Sequence, residues 1–351
     1  MAATTLDDVF RELVALRAQV EARAIPNAAP IFGPFATDWL ARQSASGKLR
    51  PNTISTYEQQ LRVYLMPSFG ELPMNEITTA LVDTFVARMA TTGCSPASVN
   101  VRVSLLCSIL ETAVEYDLIL RNPAQGKNRR LREPVPRRSL IDRAEHIEAL
   151  LAAASATGRG AGGRHRAMIA TLIFAGLRIS EALALRWEDI DLDRGTLEVR
   201  QAKSDAGVRC VEILPVLRDE LGDWAARPAS RSTDREALVF GTIRRGGPDT
   251  RQWVHRRLRG VVATEANRML AAAGVEPLPK GLSPHSLRRA YASILFALGR
   301  SAPYVQEQIG HASAELTLTV YARPMPRGDA EALAALVAGR ETAPAAKGGN
   351  A

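Results

Sequence analysis

Along most of this chain the apolar residues recur every three or four positions, and only one stretch alternates in the manner of strands. Leu6, Val9, Leu13, Leu16 and Val20 predict an amphipathic helix within residues 1–28. Its narrow seam is of the kind helices use to pair, and a helix this short is marginal alone. Docking to a neighbouring subunit and docking to its own core both fit, because Pro26 and Pro30 detach it from the next unit. Residues 31–125 read as an all-helical unit, with helices near Phe35–Gln43, Pro51–Leu65, Thr79–Thr91 and Pro96–Leu120. The turn-rich runs SGKLRPN, PSFGELPMNEI and TTGCS separate them.

Beyond an extended segment at residues 126–140, apolar Leu172, Ile173, Leu177, Ile179, Leu183 and Leu185 predict buried helix, with Gly176 allowing a turn. The alternating stretch comes next. Leu197 and Val199, then Val208, Cys210 or Val211, and Ile213 predict two short strands joined by a turn around Ser204 to Gly207. A second globular unit therefore spans residues 141–328. After it come a small helix at 329–339, with Ala330, Leu333, Ala334 and Val337 on one face, and a loose tail at 340–351.

Composition narrows the function. With 351 residues, 46% hydrophobic and 23% charged, the chain can hold two cores, and its net charge of +8 suits a polyanionic partner. Lys127, Arg129, Arg130, Arg132, Arg137 and Arg138 face only Glu133 in the 126–140 linker, which can track a phosphate backbone. Three cysteines, Cys94, Cys107 and Cys210, lie in apolar surroundings without metal-ligand spacing and indicate a reducing compartment. No signal peptide and no bilayer-spanning apolar run is read, so a cytoplasmic, nucleoid-associated protein without membrane partners is expected.

Four segments carry candidate chemistry. In LIFAGLRISEALALRWEDIDL, Ser180 and Glu181 suit a first helical turn, so Arg178 would emerge where backbone amides also face an anion, and Glu181 can orient the guanidinium. In TLEVRQAKSDAGVRCVEILP, Lys203 would ride at the hairpin tip. In LSPHSLRRAYAS, Ser283 caps and Pro284 starts a helix that sets His285 and Arg288 on one face. In QIGHASAELTLTVYARP, His311 sits in a turn and Tyr321 on a further short helix. Singly, each has an ordinary reading as surface ion pair, solvated tip, cap or core aromatic. Together they meet the demands of phosphodiester cleavage without metal. Fixed cations stabilise the five-coordinate phosphorus, a phenol of pKa about 10 needs a strong positive field to attack, and the leaving sugar oxygen needs a proton donor.

These segments resemble the tyrosine recombinases of the phage integrase family. GLRISEALALRWEDIDL resembles the first arginine motif, LSPHSLRRAYAS the His-x-x-Arg box, and IGHASAELTLTVYA the segment from Gly-His to the tyrosine. The resemblance implies that Arg178, Arg288 and His311 bind the scissile phosphate, Lys203 is the general acid, His285 assists proton transfer, Glu181 supports and Tyr321 is the nucleophile. Lys280 is the nearest competitor of Lys203. Departures are the Ala-Arg-Pro after Tyr321, where many relatives have a histidine, and a longer basic stretch between about Arg244 and Pro279.

The implied fold is mainly α with a small antiparallel sheet in the catalytic domain. It is a two-domain C-shaped DNA clamp, made of a helical SAM-like core-binding domain and a tyrosine recombinase catalytic domain. Asn52, Thr53, Ser55, Asn100, Arg102, Arg129 and Arg130 are candidate DNA contacts. The implied partners are double-stranded DNA, three further protomers in a homotetramer on paired sites, and accessory recombination or DNA-bending proteins. No cofactor and no metal is expected. The C-terminal helix either packs into a neighbouring protomer, as in the family, or folds back on its own domain. Integration or excision of a mobile element is the expected role. Xer-like or transposon resolution is the alternative within the family, followed by a type IB topoisomerase, a non-catalytic DNA-binding regulator and a protein-partner adaptor built on the N-terminal helix.

Overall fold

Helix starts obey local chemistry in the first of the two units into which the chain divides, Met1–Pro136. The computed structural model describes residues 14, 29–126, 129–133, 141–157, 162–200, 208–242, 247–310 and 327–339. Except for Val14, the expected N-terminal helix lies outside the described residues, as does the tail from 340 onward. The first unit holds α1 (Phe32–Ala45), α2 (Pro51–Gln60), α3 (Met66–Phe69), α4 (Thr79–Thr91) and α5 (Pro96–Glu115). A π-turn at Leu61–Leu65 joins α2 to α3. Pro51 and Pro96 open their helices, where no N–H is needed. Thr78 and Ser95 cap α4 and α5, their hydroxyls accepting from Leu81 N–H at 3.3 Å and Ser98 N–H at 3.2 Å.

The core of this unit is apolar and aromatic. Phe69 lies 6.0 Å from Phe32 and 5.2 Å from Phe85, ring to ring, and Leu106, Ile109 and Leu110 of α5 are fully buried among them. Contrary to the sequence expectation, α5 is long and apolar enough to cross a bilayer, but that apolarity serves the core. The unit is closed by Asn122, whose Nδ2 donates to the Cys107 carbonyl at 2.9 Å and to Glu111 Oε2 at 2.7 Å.

The second unit, Arg137–Ala351, is larger. It contains α6 (Ala144–Ala156), α7 (Gly162–Phe174), α8 (Ile179–Ala184), β1 (Ile190–Asp191), β2 (Thr196–Val199), β3 (Arg209–Glu212) and α9 (Pro215–Ala225). Next along the chain are α10 (Arg251–Arg257), a π-turn at Leu258–Val262, α11 (Ala263–Ala272), α12 (Pro284–Ala297), α13 (Ala302–Ile309) and α14 (Arg327–Val337). Helix α7 packs against α6, α9 and α12. Leu172, Ile173 and Phe174 are buried there against Leu287, Ile294 and Leu295, each side chain contributing roughly 1.5–3 kcal/mol by leaving water. The strands form one antiparallel sheet in the order β1-β2-β3, with Leu197 opposite Val211 and Val199 opposite Arg209. That register makes Val211, not Cys210, the inward residue, and Cys210 is exposed rather than apolar in its surroundings. Helix α14 lies on the core of this unit, with Leu333 and Val337 buried.

Candidate active site

Three elements meet at one buried carboxylate. The chain leaves α7 through Gly176 at φ +59°, where a side chain is doubly excluded, since a Cβ would stand 2.3 Å from Tyr291 Cδ1. This tight passage turns the chain so that Arg178 becomes the N-cap residue of α8. Glu181, in the first turn, accepts from the Arg178 backbone N–H at 2.9 Å and from its guanidinium at 2.7 Å. Arg209 of β3 donates to Glu181 Oε2 at 3.1 Å, and Arg288 of α12 stands 3.8 Å from the same oxygen. Burial would push the Glu181 carboxyl up, but the Arg209 guanidinium and the hydrogen bonds from Arg178 and Arg209 hold it below its ordinary value. One ionised carboxylate thus tethers three guanidiniums.

The same arginines grip the end of α13. Arg209 Nε donates to the Gln308 carbonyl at 2.8 Å, Arg288 Nη2 to the Ile309 carbonyl, and Arg178 Nη2 to the Gly310 carbonyl at 2.9 Å. Three successive carbonyls left over at a helix terminus are each met by a different cation. Arg288 also donates to the Gly176 carbonyl at 2.5 Å, which ties the α7–α8 turn to α12. The side chains of Arg209 and Arg288 are almost wholly buried, whereas that of Arg178 keeps 31% of its surface exposed and can meet a ligand.

Of the remaining catalytic candidates, His285 is exposed in the first turn of α12, capped by Ser283, whose hydroxyl accepts from Ser286 N–H at 3.2 Å. Lys280, just ahead of it, is exposed as well. Lys203, His311 and Tyr321 lie outside the described residues. The described chain reaches Arg200 after β2, resumes before β3, and after α13 stops at Gly310, one residue short of His311. Two other tyrosines near the site are unsuited to attack. Burial first, then Tyr304 and Glu212, push the Tyr291 hydroxyl well above its usual range, and it faces Gln308 Oε1 at 3.4 Å. Tyr304, pushed up to about 12 by burial and by its hydrogen bond to Glu212, is likewise held protonated.

The DNA-contact candidates separate into two groups. Asn52 and Ser55 are exposed at the start of α2, with Thr53 half-buried beside them, and Arg130 is exposed with Nη2 3.2 Å from Ser104 Oγ. Arg102, by contrast, is not a surface cation. It is 5% exposed, stacked 3.5 Å from the Tyr64 ring centroid, and donates to Gln60 Oε1 at 3.0 Å and to Cys94 Sγ at 3.1 Å. That contact lowers the Cys94 thiol pKa. Asn100 is likewise committed within the protein. Its Nδ2 donates to the Leu131 carbonyl and to Glu133 Oε1, both at 2.9 Å, and its Oδ1 accepts from Leu131 N–H at 2.8 Å. Arg129 pairs with Asp83 at 3.4 Å and bonds to the Gln125 carbonyl.

Sequence reasoning missed Arg209 and Gln308. The signal was present for the first, because an arginine two residues before inward Val211 shares its face and must be paired inside. Gln308, whose Oε1 accepts from Glu212 N–H at 2.9 Å, gives no comparable sign. Among the described residues no group of three or more His, Cys, Asp or Glu side chains is placed to hold a metal.

Residues 143–327 match the model of the phage integrase family, and residues 31–90 that of the phage integrase N-terminal SAM-like domain. The chain belongs to the phage integrase family. Within that family it is a tyrosine site-specific recombinase. Tyrosine recombinase XerC of Xylella fastidiosa is 27% identical over 283 residues, 80% of this chain and 89% of its own. A prophage phiRv2 integrase of Mycobacterium tuberculosis is 25% identical over 302 residues, 82% and 73% of the two chains. Among solved structures, the Tn1549 transposon integrase in complex with a circular intermediate DNA superposes with a TM-score of 0.69 at 19% identity, covering 85% of this chain and 96% of that one. A lambda integrase tetramer bound to a Holliday junction gives 0.64 at 18% identity, covering 86% and 87%. This phage integrase family member shares the fold of both.

Proposed function

We propose that this chain cuts and rejoins duplex DNA through a covalent tyrosine link in order to integrate or excise a mobile genetic element. Tyr321 attacks the scissile phosphorus, forming a 3′-phosphotyrosyl bond and freeing a 5′-hydroxyl. Arg178, Arg288 and His311 stabilise the charge that grows on the non-bridging oxygens, Lys203 protonates the leaving oxygen, and His285 assists proton transfer. Rejoining reverses these steps, and the phosphotyrosyl bond conserves the energy it needs. The observation that carries this reading is the tethering of Arg178 and Arg288 both to Glu181 and to the two carbonyls that come directly before His311 in the chain. Such fixed donors need no rearrangement when charge develops.

The working assembly is a homotetramer on two paired duplex sites, by likeness to the lambda integrase tetramer, with accessory or DNA-bending proteins selecting direction. Its place is the cytoplasm, on the nucleoid. Resolution of replicons in the manner of XerC is the second reading, and the XerC relative supports it. The two separate on whether the DNA flanking the gene carries attachment-like duplications.

The test is incubation with nicked suicide duplexes tiled across that flanking DNA, followed by denaturing electrophoresis. A tyrosine-linked adduct is expected, with Tyr321→Phe binding the duplex but forming none. Arg178→Ala should slow adduct formation by about 3–4 kcal/mol of barrier, as for the loss of one oxyanion donor. An adduct that survives Tyr321→Phe would remove the nucleophile from this scheme.

A further inference from the structure

We infer that Arg209 is a positioning residue for strand cleavage, holding Glu181 and the end of α13 so that Arg178 and Arg288 are presented to the phosphate. This rests on the reading of those two arginines as phosphate ligands. Arg209 is remote from both in sequence, and its side chain, 4% exposed, is taken up by contacts within the protein. Its fork bridges two things the site needs at once. Nη2 holds Glu181 Oε2 at 3.1 Å, and Nε holds the Gln308 carbonyl at 2.8 Å. The first contact keeps the shared carboxylate in place beneath Arg178 and Arg288. The second fixes the helix end whose next two carbonyls those arginines grip.

The electrostatic logic is specific. Arg178 from the α8 start, Arg288 from α12 and Arg209 from β3 are the charged groups among the described residues that face Glu181. Burial opposes ionisation of that carboxyl, and Arg209 is the largest influence that favours it. Without Arg209 the carboxyl titrates at higher pH. Its protonated form attracts Arg178 and Arg288 less and leaves them free to drift from the positions that meet the phosphate.

The decisive experiment measures adduct formation by the full chain on the suicide duplex, for wild type, Arg209→Met, Arg209→Lys, Glu181→Gln and the double variant. Arg209→Met should be slower than wild type by about tenfold or more at the acid end of the profile and recover part of that as pH rises, while Arg209→Lys restores the wild-type profile in part. Glu181→Gln and the double variant should both lack this added pH dependence, and the double variant should be slower than Glu181→Gln by much less than the Arg209→Met factor, because the larger part of what Arg209 does runs through the carboxylate. Should Arg209→Met fail to fold, Arg209→Lys takes its place in the pH comparison. Equal slowing of Arg209→Met at every pH, or a double variant slower than Glu181→Gln by the full single-variant factor, would overturn the inference. Absence of any wild-type adduct would instead undo the reading on which it rests.

Discussion

Gly176 shows how much can hang on a missing side chain. Its positive φ and the 2.3 Å gap to Tyr291 leave no room for a methyl group, and its carbonyl is one of the anchors of Arg288. Gly176→Ala should therefore lower stability by about 2–3 kcal/mol or more, read as a lower urea midpoint with an unchanged slope. His165 makes the converse point, a titratable ring with no surface to speak of. Burial first, then Arg164 and Arg257, lowers its pKa to about 4, and its Nε2 faces Arg164 Nη2 at 3.4 Å. Because the folded value lies below that of the free side chain, the stabilisation is complete above about pH 6.5 and is lost as pH falls towards about 4. The loss should reach about 3 kcal/mol, tracked by indole fluorescence during denaturation, and His165→Gln should flatten that pH dependence. An unchanged dependence in the variant would assign the acid sensitivity to other groups.

At the scale of elements, α5 does more than fill a core. Asn100, on its first turns, clips Leu131 through paired backbone contacts and reaches Glu133, while Leu131 itself packs on the first unit's core. The basic segment that the sequence reads as an extended linker is thus anchored on α5 at that point. Asn100→Ala should release it, and trypsin should then cut after Arg130 and Arg132 several-fold faster with the rest of the digest unchanged. Elements of this kind were largely legible beforehand. Pro51, Pro96 and Ser283-Pro284 mark helix starts by local chemistry, and the alternation around Leu197 and Val211 marks the hairpin, so the mainly α fold with a small antiparallel sheet comes out of short-range rules. Pairings across the chain were not legible. Asn100 and Arg102 share the look of exposed helix polar residues, and only the packing of α2 and the 129–133 segment turns both inward. Arg209 finds Gln308 across 99 residues, a distance over which no local pattern carries information.

For the molecule as a whole, the charge of +8 sets the expectation that duplex binding is strongly salt dependent. With about six phosphates neutralised, raising salt from about 50 to about 200 mM should weaken binding by about a thousandfold, measurable by fluorescence anisotropy on any duplex of suitable length. A salt-insensitive affinity would require a mode of binding other than backbone contact.

The buried guanidinium of Arg102 qualifies that arithmetic. Packed on Tyr64 and bonded to Gln60 and Cys94, it sheds no hydration and displaces no cation when a polyanion arrives, and the same holds for Arg209. Such charges count in the formula and are silent in the titration. Exchanging Arg102 for methionine would strip one unit from the formal total while leaving the ionic-strength slope where it was, so the slope reads how many cations the fold has left outdoors.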